Sequence, residues 1–178
     1  MSIFHNVDVA GCEDMMGVIM GHNNKIVNWT HTPGTYDSYD MDWTLNNGTK
    51  WCIEGKDRRI NFKTGKPQYI TTYDSIMLNY EKYFKLLDNY NVTGELPGYV
   101  ADYTDGVVFY SLLNLPYEEI KESVEEAKNT GKGNKWCGWF NIEKQTLVPG
   151  ETKRQLRLLL PIPSIENNYG KILLRDVK

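Results

Sequence analysis

Cysteine is scarce in this chain, long apolar runs are missing, and neither charge sign dominates. Each shortage removes a class of protein. The 178 residues hold three cysteines, Cys12, Cys52 and Cys137. They are odd in number, far apart, and form no Cys-x-x-Cys, and His5, His22 and His31 stand at no zinc spacing from them. Buried free thiols in a reducing compartment are therefore expected. No apolar stretch approaches the roughly 20 residues of a membrane span, so no membrane association is expected. The opening stretch "MSIFHNVDVAGCEDMM" has no basic flank leading into an apolar core, so no signal peptide is expected. The sequons "NWT", "NGT" and "NVT" then carry no weight. The formal net charge is −3, which argues against a strongly basic nucleic-acid-coating protein but leaves room for a local basic face.

What is present is enough for a core. The chain is 40% apolar and 12% aromatic, so disorder is excluded. Its length suits one domain over 1–178. No internal repeat or low-complexity tract appears. Residues 8–20 place Val9, Cys12, Met16 and Ile19 at helical spacing, and Gly21 is a stop. "KIVNWTH" reads as a strand and "TPGTYDSYD" as a loop. After a polar loop, "YDSIMLNYEKYFKLLDNY" carries a stripe of Ile76, Tyr80, Tyr83, Phe84 and Leu87, with Asp74 as N-cap, which predicts one helix. "PGYVADYTDGVVFYSLL" predicts two strands about a turn. "PYEEIKESVEEAKNTG" predicts a helix with Ile120, Val124 and Ala127 inward and Gly131 past its end. Short strands joined by a "VPGE" turn follow, and "KILLRDVK" reads as a charged tail or an edge strand. This order predicts an α/β (α+β) fold, a mixed sheet with helices packed against it.

The stretch "DMDWTLNNGTKWCIEGK", residues 40–56, predicts a hairpin. A two-residue Asn-Gly turn pairs Met41 with Glu54. A three-residue bulged turn pairs Asp40 with Glu54 and sets Asp42 opposite Cys52. The second register puts Met41, Trp43, Leu45, Trp51 and Ile53 on one face and Asp40, Asp42, Cys52, Glu54 and Lys56 on the other. A slip by one residue destroys that separation, so the bulged turn is expected.

Carboxylates gathered on one sheet face repel, and a hard divalent cation relieves the repulsion. Mg²⁺ is usually held by one or two carboxylates and keeps other positions for water and phosphate oxygens. A lysine two residues from a carboxylate on a strand points to the same side, where it can meet charge developing on a phosphate. Glu-x-Lys by itself is uninformative, because the chain holds four: Glu54–Lys56, Glu119–Lys121, Glu126–Lys128 and Glu151–Lys153. Only the first ends an aromatic-rich strand with aspartates on the strand before it. The bland alternative is a solvated, salt-bridged hairpin.

The order Asp, strand, turn, apolar strand, Glu-x-Lys resembles the PD-(D/E)XK nuclease superfamily. The resemblance covers about residues 8–115, with the helix and strands of 116–178 appended. It implies a restriction-endonuclease-like mixed β-sheet flanked by helices, and a Mg²⁺- or Mn²⁺-dependent endonuclease acting on phosphodiester bonds of DNA. Carried over by position, Glu54 ligates metal, Lys56 is the catalytic lysine, and Asp42 or Asp40 supplies the second carboxylate. Glu13 is the glutamate offered by the first helix. The resemblance further implies service in recombination, repair or replication in a bacterial or phage-infected cytoplasm, and homodimers that cut two strands. The sequence departs from the family pattern at Gly55, where an apolar residue is commoner, and no proline precedes the aspartate. A degenerate nuclease fold that binds nucleic acid or protein without cutting is the alternative.

A phosphate-bearing substrate needs cations. Lys50, Arg58, Arg59, Lys63 and Lys66 surround the motif and are the expected nucleic-acid-binding residues, and Lys132, Lys135, Lys153, Arg154 and Arg157 form a second cluster. Trp136 and Trp139 suit a core better than base stacking. "TGKGNK" lacks the ending and the following helix of a phosphate-cradling loop. His22 and His31 read as structural or surface groups.

Overall fold

The computed structural model describes residues 9–32, 40–142 and 153–175. The expected loop at 33–39 and the "VPG" turn lie outside the described residues. The first helix, α1 (Val9–His22), is amphipathic in the expected sense, with Cys12, Met15, Met16 and Ile19 buried. Strand β1 (Ile26–His31) follows, then the hairpin β2 (Met41–Leu45) and β3 (Lys50–Asp57). Its register is the bulged one: Met41 pairs with Ile53, Asp42 with Cys52 and Trp43 with Trp51. The turn holds because Gly48 takes φ +86° and donates to the Leu45 carbonyl at 3.0 Å, while the Asn47 side chain accepts from the Thr49 N–H at 2.9 Å.

The next segment differs from expectation. Residues Ser75–Asn79 form a strand, β4, and α2 begins only at Tyr80 (Tyr80–Thr93). Asp74 is not the cap: Asn79 is, its Oδ1 accepting from the Glu81 N–H at 2.8 Å. The cause is tertiary. Ile76 and Leu78 alternate into the core while β4 pairs along its length with a strand nearly eighty residues later. Gly94, at φ +76°, closes α2.

Strands β5 (Leu96–Tyr103) and β6 (Gly106–Ser111) and helix α3 (Tyr117–Thr130) follow as the sequence predicts, but Leu112 and Leu113, expected to continue the second strand, lie in a 3₁₀ turn (Leu112–Asn114). Ile120, Val124 and Ala127 are the buried face of α3. Strands β7 (Cys137–Ile142), β8 (Lys153–Pro161) and β9 (Gly170–Leu174) complete the described chain.

The main sheet has the order β1-β2-β3-β5-β6-β9, and a smaller one the order β4-β8-β7. The β3–β5 pairing is parallel, and every other strand pairing is antiparallel. The main sheet is therefore mixed, as expected. Residues Gly170–Leu174 form an edge strand, and β8 pairs with β4. On one face of the main sheet α1 buries Met41, Trp43, Ile53, Val100 and Val107. On the other, α2, α3 and the small sheet bury Tyr99, Ala101, Tyr103, Val108 and Tyr110. Both tryptophans of the "KWCGW" stretch serve this second core, with Trp136 1% exposed and Trp139 packed against it.

Candidate metal centre

Alternation along β3 sends Trp51 and Ile53 toward α1 and leaves Cys52, Glu54 and Lys56 on the opposite face. Glu54 is fully buried. Neither of its carboxylate oxygens accepts a hydrogen bond among the described residues. Instead an ammonium stands near each: Lys56 Nζ lies 3.7 Å from Oε1 and Lys82 Nζ lies 3.6 Å from Oε2. Asp40 reaches the same place from the strand before the turn. Its backbone N–H donates to the Ile53 carbonyl at 2.8 Å, and its Oδ2 accepts from the Gly55 N–H at 2.9 Å.

Burial pushes the Glu54 carboxyl up to about 7, and the Asp40 charge pushes the same way against the two lysines. Burial also lowers Lys56 below the ordinary ammonium range, although Glu54 and Asp40 oppose it. Two carboxylates and two ammoniums thus share a buried site in which burial disfavours the charged forms of both Glu54 and Lys56.

Asp42 occupies another position on this face. Its carboxylate, the Cys52 thiol and a Glu95 oxygen lie within 4.8 Å of one another. The Cys52 thiol donates to Glu95 Oε2 at 2.7 Å and accepts from Asn89 Nδ2 at 3.2 Å. Of the two candidate aspartates, Asp40 is the one that acts on Glu54. Glu13 is not brought to this centre. It is exposed on α1, and α1 covers the other face of the sheet. The reason is the helix period: with Cys12, Met15 and Met16 turned to the sheet, position 13 faces away.

The cations expected around the motif differ in their surroundings. Lys50, Lys63 and Lys66 are exposed. Arg59 is committed to acids, 2.7 Å from Asp57, 2.8 Å from Asp14 and 3.5 Å from Asp102. Arg58 is half-buried and donates through Nη2 to the Met77 carbonyl at 3.2 Å.

Lys82 was not among the residues singled out from sequence. No pattern pointed to it: the helical stripe starting near Asp74 places Lys82 mid-helix, and its partner Glu54 is distant in sequence.

Comparison of the chain with protein-family models, with curated proteins and with solved structures finds no match.

Proposed function

We propose that this chain is a Mg²⁺- or Mn²⁺-dependent nuclease that hydrolyses phosphodiester bonds of DNA, on a restriction-endonuclease-like variant of the mixed α/β fold. One observation carries the reading. Glu54 is buried with no hydrogen bond to either oxygen, beside Asp40, and with Lys56 on the same strand face. The donor set fits a hard divalent cation, for which Asp40 and Glu54 are the ligands. When bound, such an ion lowers the pKa of a water and offsets phosphate charge.

The chain's own residues do the rest. The Gly55 N–H fixes one oxygen of Asp40 and so orients the carboxylate. Lys56, on the same side of β3 as Glu54, meets negative charge that develops on the phosphoryl oxygens. Lys82, from α2, holds the second Glu54 oxygen and adds a further cation beside the phosphate. Met41, Trp43 and Ile53 keep the hairpin rigid from behind.

The complete burial of Glu54 favours a second reading, a module that binds nucleic acid without cutting it. Labelled duplex, single-stranded and branched DNA incubated with Mg²⁺ or Mn²⁺ separates the two. Cleavage is expected, is abolished by a chelator, and falls at least ~100-fold in Lys56→Ala with an unchanged circular dichroism spectrum. Binding with no cleavage of any form by the wild type would establish the second reading.

A further inference from the structure

Two guanidinium groups lie beyond the carboxylates. Arg58 continues the face of Glu54 and Lys56 just past the end of β3, where its backbone N–H donates to the Asp102 carbonyl at 2.7 Å. Arg157 comes from β8 of the small sheet, on the strand position paired with Asn79. Both reach Met77: Arg58 Nη2 donates to its carbonyl at 3.2 Å, and Arg157 Nη1 lies 3.8 Å from its sulfur. Among the described residues neither arginine makes an ion pair with a carboxylate.

The two groups are held, not splayed. The Arg157 guanidinium lies over the Phe140 ring, 5.3 Å from its centroid, and its Nε donates to Gln155 Oε1 at 3.1 Å. The Arg58 Nε is buried and has no hydrogen-bond partner among the described residues. Thioether sulfur is a weak acceptor, so the Nη1 of Arg157 is poorly satisfied as well. Burial lowers the pKa of Arg157 and the nearby Arg58 charge adds to that shift, whereas Tyr99 and Tyr103 hold the pKa of Arg58 up against burial. Half-buried like charges that converge with donors to spare are costly unless an anion joins them. A forked guanidinium matches a tetrahedral oxyanion best.

We propose that Arg58 and Arg157 together form a phosphate seat beside the Glu54 centre, which takes up a second phosphate of the nucleic-acid strand being cut. The assignment of that phosphate to a nucleic acid rests on the nuclease reading, while the seat itself does not. Same-face positions on a strand are spaced by about 6.8 Å. Arg58 is two such steps from Glu54 and one from Lys56, so the seat lies along the path of a strand crossing the carboxylates rather than on top of them.

Inorganic phosphate is the first probe, titrated against chloride at constant ionic strength while thermal unfolding is followed. Wild type is expected to gain roughly 4 °C at twenty times the dissociation constant. Arg157→Gln is expected to lose that gain, Arg157→Lys to need about tenfold more phosphate, and Lys56→Ala to keep it. Arg157→Lys preserves charge and length, so it decides the matter if Arg157→Gln does not fold. In DNA cleavage, Arg157→Gln is expected to raise KM about tenfold with kcat at saturation nearly unchanged. No phosphate response in wild type, or a response lost in Lys56→Ala and kept in Arg157→Gln, overturns the seat. A response that needs Arg157 in a protein that cuts no DNA leaves the seat standing and removes the nuclease reading. Cleavage with the same KM in wild type and Arg157→Gln does the reverse.

Discussion

The backbone N–H of Gly55 donates to the Asp40 carboxylate at 2.9 Å, across the hairpin and beside Glu54. The donor is a backbone amide, so the bond does not itself require glycine at the middle of Glu-Gly-Lys. It separates the two aspartates that the spacing leaves open. Asp40→Asn keeps an oxygen for Gly55 but loses the charge. Cleavage by Asp40→Asn is expected to fall ~100-fold, an effect of the size of losing one charge-stabilising group. Asp42→Asn, whose carboxylate sits with Cys52 and Glu95, is expected to retain activity within about threefold. Steady-state rates on one DNA substrate in Mg²⁺ check both.

Glu54 links stability to pH and metal. Its folded pKa of about 7 stands above the ordinary 4.5, so the folded state holds this proton more tightly than the unfolded state does. Stability from this group is complete below about 4.5 and is lost as pH rises through 7. The loss amounts to roughly 3 kcal/mol in the metal-free protein. A divalent cation at the proposed site would bind the ionised form and reverse the trend. Melting temperature is therefore expected to fall between pH 5 and 8 in chelator, and to recover at pH 8 with Mg²⁺. Glu54→Gln is expected to flatten both responses. A metal-independent profile in wild type would remove the ion from the site.

Much of this hairpin was legible in the sequence. The turn residues Asn46, Asn47 and Gly48 and the alternation of Trp43, Trp51 and Ile53 allow one register that separates apolar from charged side chains, and that register is the observed one. The helix of 117–130 was equally plain, because its stripe and its closing Gly131 agree. Segment 75–79 was not. Ile76 fits a helical stripe ending in Leu87 and also alternates with Leu78, and the choice is made by β8, far along the chain. Lys82 and Glu95 escaped for a related reason. Their partners, Glu54 and Cys52, are distant in sequence, and a lone charged residue on a helix or loop has no pattern to betray it.

Tyr83 offers a test of the packing alone. Its ring is fully buried in the core under α2, and its hydroxyl has no hydrogen-bond partner among the described residues. Burial drives its pKa far above the ordinary phenol value. A buried hydroxyl without a partner costs more than it returns. Tyr83→Phe is expected to stabilise the protein by about 1 kcal/mol, read as a higher denaturant midpoint with an unchanged slope.

On the α1 face, Asp102 is 1% exposed and is clasped by Arg175 and approached by Arg59 at 3.5 Å. Burial raises its pKa to about 6 against the pull of both arginines. Asp102→Asn removes the buried anion between the arginines, which keep Asp14 in common and, for Arg59, Asp57. A loss of about 3 kcal/mol is expected at pH 7, measured by chemical denaturation. The same substitution at pH 5, where the native carboxyl is largely protonated, is expected to cost less.

Arg175 lies just beyond β9, and that strand closes one border of the main sheet. Its first residue can only be glycine: a Cβ on Gly170 would fall 1.9 Å from the Phe109 carbonyl oxygen. Without this short piece, β6 would present an open row of amides and carbonyls, a template on which strands of other copies could stack. The five-residue β9 takes over that border from β6, and its seating is secured by the absence of a single methyl group.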